Sequence, residues 1–464
     1  MKKKNHRLFT LIVLGGGAVL VYFNETCVAP AMPIIMAGLN IDEATVSLLT
    51  SGYAMANAIM IPITAFLLDK YSEKRLFIIA AFIFLIGSTL AFFCFDFYTL
   101  LFGRIIQGIG AGITMPVGMT MFMLAFPPEK RGLALGIWGI AIGSGPLFGP
   151  ILGGLIVDAF PFNCIFLMDI PLALLVFTLA FFIDSKRVNK NSDAKLHIPS
   201  LIECVLSLGF LLYGLSMVGS HGPEPLYLIF IVLGVVILII FGRTQLKLTR
   251  PMLRIDVLKN RQFLLGNILV MILNASLLAT ASLLPMYLED VLNQPAIVQA
   301  FVQLPGSALL IWLNPFAGNY QDKHGTGKII IFGFIFMSIA TLCFSFLSLS
   351  SSLIYVTVIY FVRMMGLGCA NMPANNWALQ TLDDEVLNHG TSINNTLRQI
   401  SASLSIAIVM SIANLSTTEI YEFLNIDFIH ADLIGLDLGY LFCMVLAITG
   451  LIMSLIIFRK KKKK

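Results

Sequence analysis

What most limits the fold of this chain is the recurrence of apolar stretches close to 20 residues long, the length an α-helix needs to cross about 30 Å of hydrocarbon. About fourteen can be read, near 8–36, 46–68, 76–95, 98–124, 132–159, 164–184, 198–219, 224–242, 262–288, 297–320, 328–349, 353–378, 390–413 and 436–458. Helix is the expected state of each, because lipid offers the backbone no hydrogen-bond partner and every segment must satisfy its own groups. Composition agrees: 58% of residues are hydrophobic and 12% charged, whereas soluble domains carry about a quarter charged residues. The fold class is therefore an all-α polytopic membrane protein.

Charge fixes the orientation, since Lys and Arg are retained in short cytoplasmic loops. If the spans alternate in direction, "MKKKNHR", "DKYSEKR", "PPEKRG", "DSKRVNKNSDAK", "GRTQLKLTRPMLRIDVLKNR", "QDKHGTGK" and "RKKKKK" all fall on one side. The opposite loops, "NIDEAT", "FDFYT", "VDAFPFN", "SHGPEP", "LEDVLNQP", "SLSSS" and the stretch 414–435, contain no Lys or Arg. Both termini are then cytoplasmic. The net charge of +5 reflects this rule and attraction to the lipid surface; a nucleic-acid partner is not indicated. The first residues also have the form of a signal peptide, with "APA" at 29–31, but its removal would leave an odd number of spans and strand the remaining cytoplasmic charges.

Enzyme chemistry has no foothold. The seven cysteines show no CxxC spacing and read as small buried hydrophobes. No GxxxxGKS/T, GxSxG or HExxH is present, so neither direct ATP drive nor hydrolysis is expected, and no metal or cofactor is called for. What these absences leave open is a membrane protein that moves a solute or, without transport, acts as a sensor.

Two pairs of segments repeat. "AFLLDKYSEKR" and "GNYQDKHGTGK" place Asp-Lys at 69/70 and 322/323, and "RIIQGIG" and "RMMGLG" place Arg104 and Arg363 at nearly the same separation. The chain thus reads as an N-terminal six-span half (1–185), two additional spans with basic linkers (186–254) and a C-terminal six-span half (255–464), related by a parallel repeat.

These motifs carry a resemblance. The sequence is similar to the fourteen-helix drug:proton antiporters of the major facilitator superfamily, the EmrB/QacA branch, and most resembles multidrug exporters of NorB/NorC type from Gram-positive bacteria. "AFLLDKYSEKR" matches the superfamily loop motif GxLaDrxGrkr with Ala65 and Ser72 in place of both glycines. "LLFGRIIQGIGAG" fits the fourth-helix motif and "GPLFGPILGG" the fifth-helix antiporter motif. "NETCVAPAMP" is a looser match to DxTivNvALP, with Asn24 in the Asp position and Glu25 beside it. The resemblance implies a multi-pass protein of a bacterial cytoplasmic membrane, acting as a monomer and exchanging protons for lipophilic cationic or zwitterionic compounds such as quaternary ammonium compounds, dyes and quinolones. Export or flipping of an endogenous lipid, fatty acid or metabolite fits the same fold.

Ionisable residues within spans are the sharpest clue to a site, because a charge in hydrocarbon is costly and faces a partner or a wet cavity. Glu25, Arg104 and Asp169 all fall in the outer half of the bundle and can meet in one network. Glu25 reads as proton carrier and counter-ion for a cationic substrate, or as a structural partner of Arg104; Asp169 as a second proton site or an interfacial acid. Arg363 is a weaker copy of Arg104, Arg398 reads as snorkelling toward the cytoplasm, and Glu203 sits near an inner helix end. "GSGPLFGPILGG" concentrates Gly143, Gly145, Pro146, Gly149, Pro150, Gly153 and Gly154 in one span, where small residues let backbones approach and proline bends the helix. The resemblance implies that this motif seals the leak between the two sides, and that Asp69, Lys70, Arg75, Asp322 and Lys323 latch the two halves. Pocket candidates are Tyr53, Asn57, Trp138, Asn274, Gln303, Asn376 and Trp377. The outer stretch 414–435, with Glu419, Glu422, Asp427 and Asp432, reads as an acidic loop that caps the mouth or simply contacts water.

Overall fold

A computed structural model describes residues 2–183, 196–424 and 428–459. The described residues form helices joined by short connections: α1 (Lys2–Cys27), α2 (Met32–Leu39), α3 (Glu43–Lys70), α4 (Glu73–Phe92), α5 (Phe97–Ala125), α6 (Arg131–Ala159), α7 (Cys164–Ala180), α8 (Ile198–His221), α9 (Pro225–Lys247), α10 (Arg261–Met286), α11 (Ala296–His324), α12 (Thr326–Phe344), α13 (Leu353–Leu379), α14 (Leu387–Leu424) and α15 (Phe428–Arg459). Among the described residues thirteen helices, counting Leu8–Leu39 as one, are long and apolar enough to cross a membrane, and α7 is a shorter apolar helix of 17 residues. The first span bends through the 3-10 turn Ala29–Ala31, where Pro30 and Pro33 withhold backbone donors and Ala31 is buried.

Local chemistry sets the helix ends. Asp42, Asp96 and Ser352 accept hydrogen bonds from the backbone N–H groups of Thr45, Thr99 and Tyr355 at 3.0, 2.7 and 3.2 Å, satisfying donors that a helix start leaves open. Gly325 closes α11 at a φ of 84°, a conformation that costs a residue with a Cβ.

One expectation fails here. Within 414–435 the described residues are helical rather than a loop: α14 continues to Leu424 and α15 begins at Phe428. No Gly or Pro interrupts the chain between Asn414 and Ile434, and apolar residues alternate there with acids at helical spacing, so both helices run on past the hydrocarbon. Asp432 is buried, while Asp427 lies outside the described residues.

Packing divides the bundle into two broad apolar cores. One joins α1 and α3–α8 with parts of α10, α13 and α14; the other lies within α10–α15. Between these groups α6 runs along α11 and α3 meets α14. Close approach needs glycine: a Cβ on Gly136 would stand 2.6 Å from the Asn314 carbonyl oxygen, and one on Gly132 2.7 Å from that of Gly318. α8 leans on both α3 and α14, and α9 packs on α8 and the turn Ile255–Lys259.

Candidate functional site

Arg104 lies two turns into α5, wholly buried. A guanidinium in such a place needs several acceptors at once. Its Nε donates to the Leu49 carbonyl at 3.2 Å and its Nη1 to Gln107 Oε1 at 3.0 Å, and Nη1 also donates to the Asn24 side-chain oxygen. The Tyr53 ring lies under it, 4.4 Å from centroid to Cζ. Asn24 Nδ2 then donates to Asp169 Oδ2, and Gln107 Nε2 donates to Ser88 Oγ at 2.9 Å and approaches Asp169 Oδ2 at 3.5 Å.

The result is a relay: Arg104 and Asp169 make no direct ion pair among the described residues, because the Asn24 amide stands between them. Asp169 is fully buried and its Oδ1 has no hydrogen-bond partner; neither does Arg104 Nη2. Asn24 is thus the centre of the network, although in the sequence it shows only as a departure from a motif. Gln107 was legible too, three residues after Arg104 and so on the same helix face.

Glu25, the next residue, points elsewhere. It is half-buried, and its strongest electrostatic neighbours are Arg398 and then Arg104. Arg398 does not snorkel toward the basic end of the bundle. It is the strongest charge facing both Glu25 and the Tyr22 hydroxyl, because an acid on the opposite wall offers it a partner inside the protein. Among the described residues Glu25 and Arg398 do not close to the 4.0 Å of an ion pair. Glu203 serves the α8–α9 hairpin, accepting from Thr244 Oγ1 at 3.2 Å.

Arg363 repeats the anchoring of Arg104. Its Nη2 donates to both the carbonyl and the hydroxyl of Ser276, just as Arg104 Nη1 reaches both the carbonyl and side chain of Asn24. Tyr360, Tyr440 and Cys443 surround it where Arg104 has Asp169.

The glycine-rich motif is a contact surface. Cβ atoms on Gly145, Gly149 and Gly153 would meet the Tyr22 carbonyl, the Thr26 hydroxyl and the Cys27 carbonyl of α1, whereas one on Gly143 would stand 3.0 Å from Ile311 of α11 and one on Gly154 would enter open space. Thr26 Oγ1 donates to the Gly145 carbonyl at 2.8 Å. Pro146 and Pro150 lie inside α6, which is continuous from Arg131 to Ala159.

At the basic end, Asp69 accepts from Asn388 Nδ2 at 2.7 Å and from His389 Nε2 at 3.0 Å, both in the first turn of α14. Asp322 accepts the backbone N–H groups of Gly132 and Leu133 at 2.9 and 2.8 Å, at the start of α6. Arg131 pairs with Asp384 at 2.6 Å. Lys70 and Arg75 lie instead over the Tyr71 ring of their own segment, and Lys323 is exposed. These contacts tie α3 to α14 and α6 to α11 at this end of the bundle.

A cavity of about 790 Å³ lies between α3, α8 and α14, from Asp42, His221 and Asn414 down to Met55 and Gln399. None of the pocket candidates lines it. Tyr53 is taken up by Arg104, the Trp138 ring packs tilted against Phe122 with centroids 5.1 Å apart, Asn274 donates to the Arg398 carbonyl and Asn376 to Gln321. Asn57 is buried in the α3–α5 seam and Gln303 half-buried on α11. Trp377 lines a separate cavity of about 540 Å³ with Arg261 and Met453. Helix seams consume such residues, and residue type alone does not distinguish a seam from a cavity wall.

The sequence pattern of the Major Facilitator Superfamily matches residues 14–406. The chain belongs to this superfamily. It is 34% identical to the uncharacterized MFS-type transporter YcnB of Bacillus subtilis (strain 168), across 98% of this chain and 95% of that one. The lincomycin resistance protein LmrB of the same organism is 30% identical over 95% of this chain and 93% of its own length. In fold, the crystal structure of the human organic anion transporter MFSD10 (TETRAN) superposes with a TM-score of 0.66 at 12% identity, covering 95% of this chain and 99% of that one. Family and fold together make this a multi-pass membrane transporter of small molecules rather than an enzyme.

Proposed function

We propose that the protein is a proton-coupled exporter of lipophilic cationic and zwitterionic compounds in a bacterial cytoplasmic membrane, of the EmrB/QacA kind. Both termini and the latched basic end lie in the cytoplasm. It works as a monomer in which the halves 1–185 and 255–464 rock about the α6–α11 and α3–α14 seams. The observation that carries this reading is the carboxyl pair on the α1–α7 side: Asp169, buried with one oxygen unpartnered, and half-buried Glu25, facing Arg398 across a gap.

In the state latched at the cytoplasmic end, Glu25 takes a proton from outside as cargo leaves, and Asp169 is the second carboxyl on the path. Asn24 holds the Asp169 carboxyl in place while Arg104 remains fixed by Leu49 and Gln107, so proton exchange need not break the arginine's own contacts. The Gly145–Gly153 face keeps α1 tight on α6 and excludes a leak path beside Glu25.

The test is pH-gradient-driven ethidium efflux from proteoliposomes, with substrate-driven proton release measured in parallel. Native protein couples the two fluxes, and Glu25→Gln abolishes the coupling. Undiminished coupling in Glu25→Gln and again in Asp169→Asn would remove both carboxyls from the proton path, and no flux in native protein would remove the antiport reading.

A further inference from the structure

The two additional helices have no role in the exchange just described, yet α8 forms one wall of the 790 Å³ cavity. That cavity is unlike the apolar seams around it. Ser47, Thr50 and Ser51 of α3, Ser216 and Ser220 of α8 and Ser403 of α14 line it. Thr50 and Ser51 give their hydroxyl protons to the Ser47 carbonyl at 2.9 and 3.1 Å, and Ser282 on the α10 side gives its own to the Leu278 carbonyl at 3.1 Å. With those protons spent, their oxygens face the cavity as acceptors. Asp42 adds a carboxylate at the mouth, opposite His221, and no Lys or Arg is among the lining residues.

α8 packs against both α3 and α14. Without it these acceptor-bearing faces would border lipid tails, where polar groups find no partner.

We propose that this cavity is an outer vestibule of the transport path, which α8 encloses from the lipid and which admits the positively charged or hydrogen-donating end of a cargo while excluding anions. It rests on the reading that the Lys- and Arg-free end faces outward. α8 is then a functional wall, and the cation preference is set before cargo or competitor reaches Glu25.

The test needs neither a known cargo nor a proton gradient. Ser216→Cys and Ser403→Cys are treated in right-side-out vesicles with membrane-impermeant methanethiosulfonates bearing trimethylammonium or sulfonate, and labelling above the native cysteines is timed. Measurement is made at pH 8 in high salt, which screens the open surface. At both positions the cationic reagent should gain at least tenfold over the anionic one, relative to their ratio on free 2-mercaptoethanol, and Asp42→Asn should reduce that gain. A ratio equal to that of the free thiol, or no labelling from outside, overturns the proposal. Thr50→Cys substitutes for a variant that does not reach the membrane. Failure here leaves the Glu25 exchange standing, and failure of coupled flux leaves this result standing.

Discussion

Asp322 is the perturbation that best tests whether the cytoplasmic seal is an energetic latch. Its carboxylate accepts two backbone N–H groups from the first turn of α6, at 2.9 and 2.8 Å, so a single side chain of α11 caps a helix of the other group. Hydrogen bonds to a charged acceptor contribute about 1.5–3 kcal/mol each when dry, and the positive helix end adds about 0.3–1 kcal/mol. Asp322 is only half-buried, and water competes for it, which brings the whole contact to about 2 kcal/mol. Its loss in Asp322→Ala shifts the closed-to-open ratio of the cytoplasmic ends about 30-fold, since 1.4 kcal/mol is tenfold. Spin labels at the exposed positions Lys130 and Lys323 read that ratio as a distance distribution in nanodiscs. Gly132→Ala should act alike, because its Cβ would press on the Asp322 carboxylate and stand 2.7 Å from the Gly318 carbonyl oxygen, and must push α6 off α11. Both variants break one contact, so their effects should not add. A distribution unchanged within twofold in Asp322→Ala, or full additivity in the double variant, would refute the latch.

Three further outcomes follow from the same geometry. Gly153→Ala sets a methyl against the Cys27 carbonyl and should destabilise the folded protein by about 1–3 kcal/mol; a melting temperature equal to native would show that α1 and α6 are not held this closely. Arg398→Leu removes the cation that faces Glu25, so tetraphenylphosphonium should bind several-fold more tightly by equilibrium dialysis, and weaker binding would show that Arg398 does not compete for Glu25. Outside the spans, the Arg254 guanidinium hydrogen-bonds Asp256 and holds its carboxyl below the usual range. That contribution is present above the unfolded-state value of about 3.9 and is lost as pH falls through the folded one. Asp256→Asn should therefore lower stability at pH 7, by less than about 1 kcal/mol for so exposed a pair, and leave it unchanged near pH 2. An equal loss at both pH values would exclude the ionic contact.

Hydropathy made the spans readable because lipid imposes one length on every crossing helix, and it misled only where helices leave the lipid. At 414–435 the acids of α14 and α15 look like a loop, yet α14 runs on to Leu424 and α15 starts at Phe428. Alternation of direction placed Arg104 and Asp169 at one depth, and the structure does bring them into one network. The bridge between them was not legible, because a span's sequence gives depth but not which face turns toward which neighbour. The same limit hid the cavity: serines on α3, α8 and α14 look like ordinary small packing residues until α8 is seen leaning on both other helices.

The two buried arginines divide structural from functional roles. Arg104 and Arg363 each clamp a neighbouring helix through one residue's carbonyl and side chain, Asn24 in one case and Ser276 in the other. A buried cation is expensive, and a clamp on a helix carbonyl is reason enough to retain both. What differs is the third member. Beside Arg363 stands Cys443, whereas the Arg104 network ends in Asp169, with one carboxyl oxygen left free. Arg363 therefore anchors a helix without a bridged carboxyl, so the Asn24–Asp169 arrangement is not repeated among its described neighbours. If proton exchange is confined to α1–α7, the other side must contribute something else to coupling. Arg398 on α14 is placed to do so, as the charge that Glu25 faces across the gap when no cargo is bound.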